Sequence, residues 1–254
     1  MKKIALVTGA TAGIGKATAE ILADNDYNLI ITGRRKELLD KLKGELGIKF
    51  KCDVLALNFD IRNREQTESS LDRLPEQWKK INVLVNNAGL AAGLGPIHEG
   101  SVDDWEQMID TNIKGLLYVT RKVSKLMADA GTGHIVNITS IAAREVYENG
   151  NVYCATKHAV DALTKSMRLD LLKHNIKVTS IAPGMVETEF SIVRFKGDKD
   201  RAAQVYEGLV PLEADDVAEA VWFAVSRPPH VNINDLLIMP TAQANITSTY
   251  RKTK

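Results

Sequence analysis

Ile4-Ala5-Leu6-Val7-Thr8-Gly9-Ala10-Thr11-Ala12-Gly13-Ile14-Gly15 opens on an apolar run, passes three glycines and leads into Lys16-Ala17-Thr18-Ala19-Glu20-Ile21-Leu22. The spacing predicts a strand over Ile4–Thr8 and a helix over Ile14–Asn25. A glycine-rich turn between strand and helix is the setting in which unpaired backbone N–H groups cradle a phosphate. Gly9 permits the tight turn, Gly13 lets the backbone approach a pyrophosphate, and Gly15 allows helix to pack closely on sheet. Thr11 and Ile14 belong to the same cradle.

Beyond this stretch, short β-branched runs keep alternating with longer amphipathic ones. Strands are expected at Leu29–Thr32, Cys52–Leu57, Val83–Asn86, Ile135–Ile138, Val178–Ile181 and Leu236–Met239. Helices are expected over Lys36–Leu46, from near Arg64, over Trp105–Ala128, around Tyr153 and Lys157, and over Val217–Val225. The Trp105–Ala128 stretch carries apolar positions at helical spacing: Met108, Ile109, Ile113, Leu116, Leu117 and Val119. Strands apolar on both faces and separated by helices imply an α/β fold, a single-domain, Rossmann-type doubly wound parallel sheet with helices on both faces. One domain spans residues 1–254. The alternation breaks from Glu187 to about Asp200, and residues 187–213 are a candidate substrate lid after a strand end. Residues 242–254 form a C-terminal tail, either a disordered end or an arm on a neighbouring subunit.

Composition narrows the class of partner. A net charge of +1 over 254 residues, with lysines and arginines dispersed, argues against nucleic acid. The two cysteines, Cys52 and Cys154, match no metal-ligand spacing, so no metal is expected and both read as free thiols in a reducing compartment. The apolar run after Met1-Lys2-Lys3 is too short for a signal peptide or a membrane span. A cytoplasmic protein acting on a small molecule is the expectation. Asn137-Ile138-Thr139 and Asn245-Ile246-Thr247 then match a glycosylation pattern by coincidence.

The second strand ends Gly33-Arg34-Arg35, where an NAD-binding chain usually carries a carboxylate for the ribose hydroxyls. A guanidinium pairs with a 2′-phosphate that a carboxylate would repel, so the expected cofactor is NADP. Arg34 is the stronger candidate, because Arg35 also reads as the start of a solvated helix. Asp60 and Ile61 follow the third strand, where Asp60 is placed to meet an adenine amino group. Asn87, Ala88 and Gly89 follow the fourth, with small residues that leave room for a ribose.

Tyr153 and Lys157 stand four apart, on one face of a helix. An ammonium beside a phenol favours the phenolate, which makes a general acid/base for a carbonyl or alcohol. Ser140, at the end of the run Ile135–Ile138, offers a hydroxyl nearby. Cys154 points to another face and reads as packing.

Together, the glycine loop, Asn86-Asn87-Ala88-Gly89, Asn112, Ser140, Tyr153-xxx-Lys157 and Pro183-Gly184 resemble the short-chain dehydrogenase/reductase superfamily across nearly the whole chain. The resemblance implies an oxidoreductase in which Tyr153 is the acid/base and Lys157 lowers its pKa and holds the nicotinamide ribose. It gives Ser140 the substrate oxygen and Asn112 a water in a proton relay. Pro183-Gly184-Met185-Val186-Glu187-Thr188 resembles the segment that fixes the nicotinamide carboxamide, through Val186 backbone groups and the Thr188 hydroxyl. Val193–Asp198, Pro229–Asn234 and Met239-Pro240 are similar to the NADP-dependent 3-hydroxy acid dehydrogenases. That likeness implies short 3-hydroxy acids and 3-oxo acids as substrates and a homotetramer. The alternatives are a 3-oxoacyl-thioester or ketone reductase, or an NADP-sensing protein without turnover. A carboxylate substrate needs a cation near the reacting carbon, and Arg194 is the expected one, with Arg144 and Lys196 as rivals.

Overall fold

Seven apolar runs become the strands β1 (Lys3–Val7), β2 (Tyr27–Gly33), β3 (Val54–Asn58), β4 (Ile81–Asn86), β5 (Gly133–Ile138), β6 (Ile176–Pro183) and β7 (Asp235–Ile238) in the computed structural model, which describes residues 2–252. They form one sheet in the order β3-β2-β1-β4-β5-β6-β7, and all neighbours pair in parallel. Successive side chains of a strand point to opposite faces, so a strand apolar throughout supplies two cores. Val7, Leu29, Ile31, Val85 and Ile181 enter one core, while Leu6, Ile30, Leu84, Ile135 and Val178 enter the other.

The helices divide between the same two faces. Helices α1 (Gly13–Asp24) and α2 (Lys36–Phe50) cover the first core together with α9 (Ala214–Val225). Between α2 and α9 in the chain come α3 (Arg64–Asp72), α4 (Val102–Ile109), α5 (Leu116–Ala130) and α6 (Asn151–Asp170), then the short α7 (Glu189–Arg194) and α8 (Lys199–Gln204). Helices α3, α5 and α6 cover the second core. In α5 the buried stripe is Leu116, Val119, Val123 and Met127, at the three-and-four spacing of one helix face. Each side chain of that size contributes about 1.5–3 kcal/mol on burial.

Local signals set the helix ends. The Ser101 and Asn63 side chains accept from Asp104 N–H and Gln66 N–H and start α4 and α3. Gly131, in the left-handed region, ends α5. Helix α1 is different: its N-cap is Ala12, which has no side-chain acceptor, so the N–H groups of its first turn face the end of β1.

Two expectations change. The helix predicted over Trp105–Ala128 is three pieces, with a π-helical turn over Asp110–Gly115 between α4 and α5. Ile109 and Leu117, two of the apolar positions at helical spacing, are each 37% exposed, whereas Met108, Leu116 and Val119 are buried. The irregular stretch after Glu187 contains two short helices, α7 and α8.

The tail turns back over its own chain. Gln243 is buried and its Oε1 accepts from the Met185 N–H at 2.8 Å, while the Lys252 N–H donates to the Gly208 carbonyl at 2.8 Å. Thr253 and Lys254, the end of the predicted tail, lie outside the described residues.

Candidate active site and cofactor groove

The strand order reverses between β1 and β4, so the loops leaving their C-terminal ends diverge and open a crevice. A cavity of about 470 Å³ runs along this edge of the sheet. Every residue expected at the cofactor lines it except Gly15, which lies beneath the loop.

The loop is shaped by close approach. A Cβ on Gly15 would stand 2.3 Å from the Gly9 carbonyl oxygen and 2.4 Å from Asn87 Nδ2, so only glycine fits there. Gly13 has φ +50°, and a Cβ on it would meet Thr188 at 3.2 Å. Asn87 Nδ2 donates to the carbonyls of Thr8 (2.9 Å) and Gly9 (3.2 Å). The Thr8 hydroxyl accepts from the N–H groups of Asn87 and Ala88, each at 3.0 Å. Thr8 and Asn87 thus tie the ends of β1 and β4 together. The sequence reading passed over Thr8, whose partners lie some 80 residues away.

At the end of β2, Arg34 Nη1 stands 3.9 Å from Asp60 Oδ2. Burial raises the Asp60 pKa, but hydrogen bonds from Arg62 and the charges of Arg62 and Arg34 outweigh it and hold the carboxyl below its ordinary value. Arg35 does more than begin a solvated helix. Its Nε and Nη2 donate to Thr11 Oγ1 at 3.3 and 3.0 Å, and its Nη1 donates to Glu189 Oε2 at 2.9 Å. Both arginines border the cavity, which leaves cationic donors where a 2′-phosphate would sit. With the glycine cradle and the uncapped turn of α1, this donor set fits a dinucleotide phosphate.

The four expected catalytic side chains converge from β5, α6 and the π turn. Ser140 caps the turn after β5, its Oγ accepting from the Ala142 N–H at 3.1 Å, and it borders the cavity together with the Tyr153 phenol. Lys157 Nζ donates to the Ile138 carbonyl at 3.0 Å. Asn112 Oδ1 accepts from the Leu90 N–H (2.9 Å), and its Nδ2 donates to the Leu90 carbonyl (2.8 Å) and Thr156 Oγ1 (3.0 Å). Gly89 lies between these groups: a Cβ there would be 3.3 Å from Asn112 Oδ1 and 3.7 Å from Lys157 Nζ.

Electrostatics depart from the sequence expectation. Lys157 Nζ is 5.9 Å from the centre of the Tyr153 ring, and burial lowers its own pKa from 10.5 to about 8. Burial also pushes the Tyr153 phenol above its ordinary value, with Tyr147 adding to the rise; the Arg194 charge and the Ser140 hydrogen bond work against it. The cation easing the phenol in this structure is therefore that of Arg194. Desolvation, which a sequence does not display, is the larger effect.

Segment 187–213 closes the other side. Thr188 caps α7, and Tyr206 Oη donates to the Val186 carbonyl at 2.8 Å. The Phe190 ring stands edge-on to Tyr153 at 5.6 Å. The Arg194 guanidinium carbon lies 5.1 Å from the Tyr153 ring, 5.5 Å from Tyr147 and 5.6 Å from Phe190. Its Nη2 donates to Tyr147 Oη, and its Nε is buried without a partner. The two rivals are engaged elsewhere: Arg144 pairs with Asp235, and Lys196 with Asp104 at 3.0 Å. A second cavity, of about 210 Å³, is bordered by both Tyr153 and Arg194, with Trp105 and Met108 on its apolar side.

A family model described as short chain dehydrogenase matches residues 3–199. The chain is 50% identical to the NADP-dependent 3-hydroxy acid dehydrogenase YdfG of Salmonella typhi over 242 residues, covering 95% of this chain and 96% of the relative. It is 43% identical to sulfoacetaldehyde reductase 2 of Chromohalobacter salexigens over 245 residues, 96% of each chain. Among solved structures, the closed form of serine dehydrogenase complexed with NADP+ superposes with a TM-score of 0.92 at 46% identity, covering 98% of this chain and 100% of that one.

Proposed function

The chain belongs to the short-chain dehydrogenase family and is an NADP-dependent oxidoreductase, and on that premise we propose that it interconverts short 3-hydroxy acids and their 3-oxo partners. The observation that carries the proposal is the Arg194 guanidinium, caged by three aromatic rings beside the Tyr153 phenol, with a buried Nε that has no partner. An unpaired buried donor beside an acid/base phenol suits a small anion attached close to the reacting carbon.

Tyr153 gives a proton to the carbonyl oxygen as it becomes an alcohol, and Ser140 donates a second hydrogen bond to the same oxygen. Arg194 holds the substrate carboxylate and, in the oxidative direction, favours the phenolate. Lys157 holds the nicotinamide ribose and stands, across Gly89, next to Asn112, whose part is to hold the water of a proton relay. NADPH supplies the hydride for reduction, and NADP accepts it in the reverse direction.

Gly9, Gly13 and Ile14 present backbone groups to the pyrophosphate, and Arg34 and Arg35 take the 2′-phosphate. Asp60 and Ile61 meet the adenine, and Asn87–Gly89 the ribose. Pro183, Gly184, Val186 and Thr188 face the carboxamide. Segment 187–213 acts as the lid, with α7 bringing Phe190 and Arg194 over the reacting carbon. A homotetramer is the assembly proposed for this protein. Among the described residues no helix is long and apolar enough to cross a membrane.

A second reading draws on the relative named for sulfoacetaldehyde. That aldehyde carries its sulfonate one methylene from the carbonyl, as a 3-oxo acid carries its carboxylate, so the same guanidinium suits both. A thioester would have to pass Phe190 and Arg194, which favours the smaller substrates.

Cofactor absorbance at 340 nm reads the reaction. The panel is L-serine, L-allo-threonine, 3-hydroxyisobutyrate and 3-hydroxypropionate with NADP or NAD, beside the neutral methyl esters of the last two, and sulfoacetaldehyde with NADPH. Turnover of the acids with NADP, lost in the esters and in Tyr153→Phe, is expected. Equal turnover of esters and acids would refute the carboxylate reading.

A further inference from the structure

Two adjacent residues of segment 187–213 meet the glycine loop and the arginine that follows β2. Thr188 packs on Gly13, and the next residue, Glu189, places Oε2 2.9 Å from Nη1 of Arg35. Arg35 in turn holds Thr11 of the same loop through Nε and Nη2. One guanidinium therefore joins the end of β2, the phosphate loop and the first residue of α7.

We propose that Glu189 competes with the cofactor's 2′-phosphate for Arg35 and so couples the lid to the choice between NADP and NAD. This rests on the reading of Arg35 as a ligand of that phosphate. A guanidinium has five donors in a rigid fork, and two of Arg35's already point to Thr11. A phosphate that takes the remaining edge must share it with the Glu189 carboxylate or displace it. Sharing is disfavoured: the phosphate carries about −1.5 to −2 at neutral pH, and two anions on one guanidinium lie well inside a Debye length of about 8 Å. NADP binding releases Glu189, and with it the start of α7. NAD has no phosphate there and leaves the Arg35–Glu189 pair closed. A closed pair weakens phosphate binding by a factor of one plus its own equilibrium constant, so removing the carboxylate should return that factor.

Cofactor affinity measured by calorimetry, without substrate or turnover, tests the idea, using NADP, NAD and 2′,5′-ADP on Glu189→Gln, Arg35→Ala and the double variant. Glu189→Gln is expected to tighten NADP and 2′,5′-ADP about three- to fivefold, the scale of an exposed ion pair, and to leave NAD unchanged. The gain should shrink at high salt and vanish in the Arg35→Ala background. Equal effects on NADP and NAD, or a gain that survives Arg35→Ala, would overturn the proposal while leaving Arg35 as a phosphate ligand. An Arg35→Ala protein with an unchanged NADP-to-NAD ratio would overturn the Arg35 reading itself, and this inference with it.

Discussion

Replacing Lys157 by methionine should stabilise the protein while abolishing turnover. Burial lowers the Lys157 pKa from 10.5 to about 8. Each pKa unit is worth about 1.36 kcal/mol, so keeping this ammonium charged inside the folded protein costs about 3 kcal/mol at neutral pH. Methionine fills a similar volume without a charge, but it leaves the Ile138 carbonyl without its 3.0 Å donor, which returns about 1 kcal/mol. The expected net gain is about 2 kcal/mol at pH 7. The sign of the pH dependence follows from the same shift. Between pH 8 and 10.5 the unfolded chain keeps a proton that the folded chain has shed, so the stability of the parent rises with pH across that window. The advantage of the variant should therefore shrink above pH 8 and reverse by about 1 kcal/mol near pH 10.5. Equilibrium urea unfolding followed by circular dichroism, at one protein concentration and at steps across that range, measures both quantities. A variant no more stable than the parent at pH 7, or a gap that stays constant with pH, would refute the burial argument.

Two further variants probe neighbouring parts of the site. Arg194→Ala should raise KM for 3-hydroxy acids about 10- to 100-fold, the range for charge-assisted hydrogen bonds, with Arg194→Lys between the two. Steady-state kinetics against the matching methyl esters checks it, since an unchanged KM for the acids would remove the carboxylate from Arg194. Asn112→Ala strands the Leu90 N–H and carbonyl in a buried place and should cost about 2–4 kcal/mol in urea unfolding, whereas a loss below about 1 kcal/mol would show that water replaces the amide.

What the sequence disclosed, and what it withheld, divides along the reach of each interaction. The glycine loop was legible because its signal is local: strand, turn and helix follow one another between residues 3 and 24. The sheet was legible because β1, β2, β4, β5 and β6 are apolar on both faces, a pattern that survives without knowing their neighbours. Tyr153 and Lys157 were legible as a pair for the same reason, a fixed helical spacing. The balance of forces on that pair was not, because burial comes in part from Gly89 and Phe190, which arrive from distant parts of the chain. The π turn at Asp110–Gly115 was hidden too. It lies inside a continuous helical pattern, between α4 and α5, where nothing in the spacing of apolar residues marks it. The roles of Thr8 and Glu189 were invisible because their partners, Ala88 and Arg35, lie about 80 and 154 residues away.

The return of the tail has a consequence for biosynthesis. Gln243 and Lys252 fasten Met185 and Gly208 from beyond the last strand. During translation the N-terminal part of a chain emerges first and begins to fold while the rest is still being made. The hydrogen bonds that secure residues 185 and 208 therefore cannot form until residues 243 and 252 have been made. The lid side of the cavity is thus tied down by chain that is translated well after the glycine loop that forms its other wall.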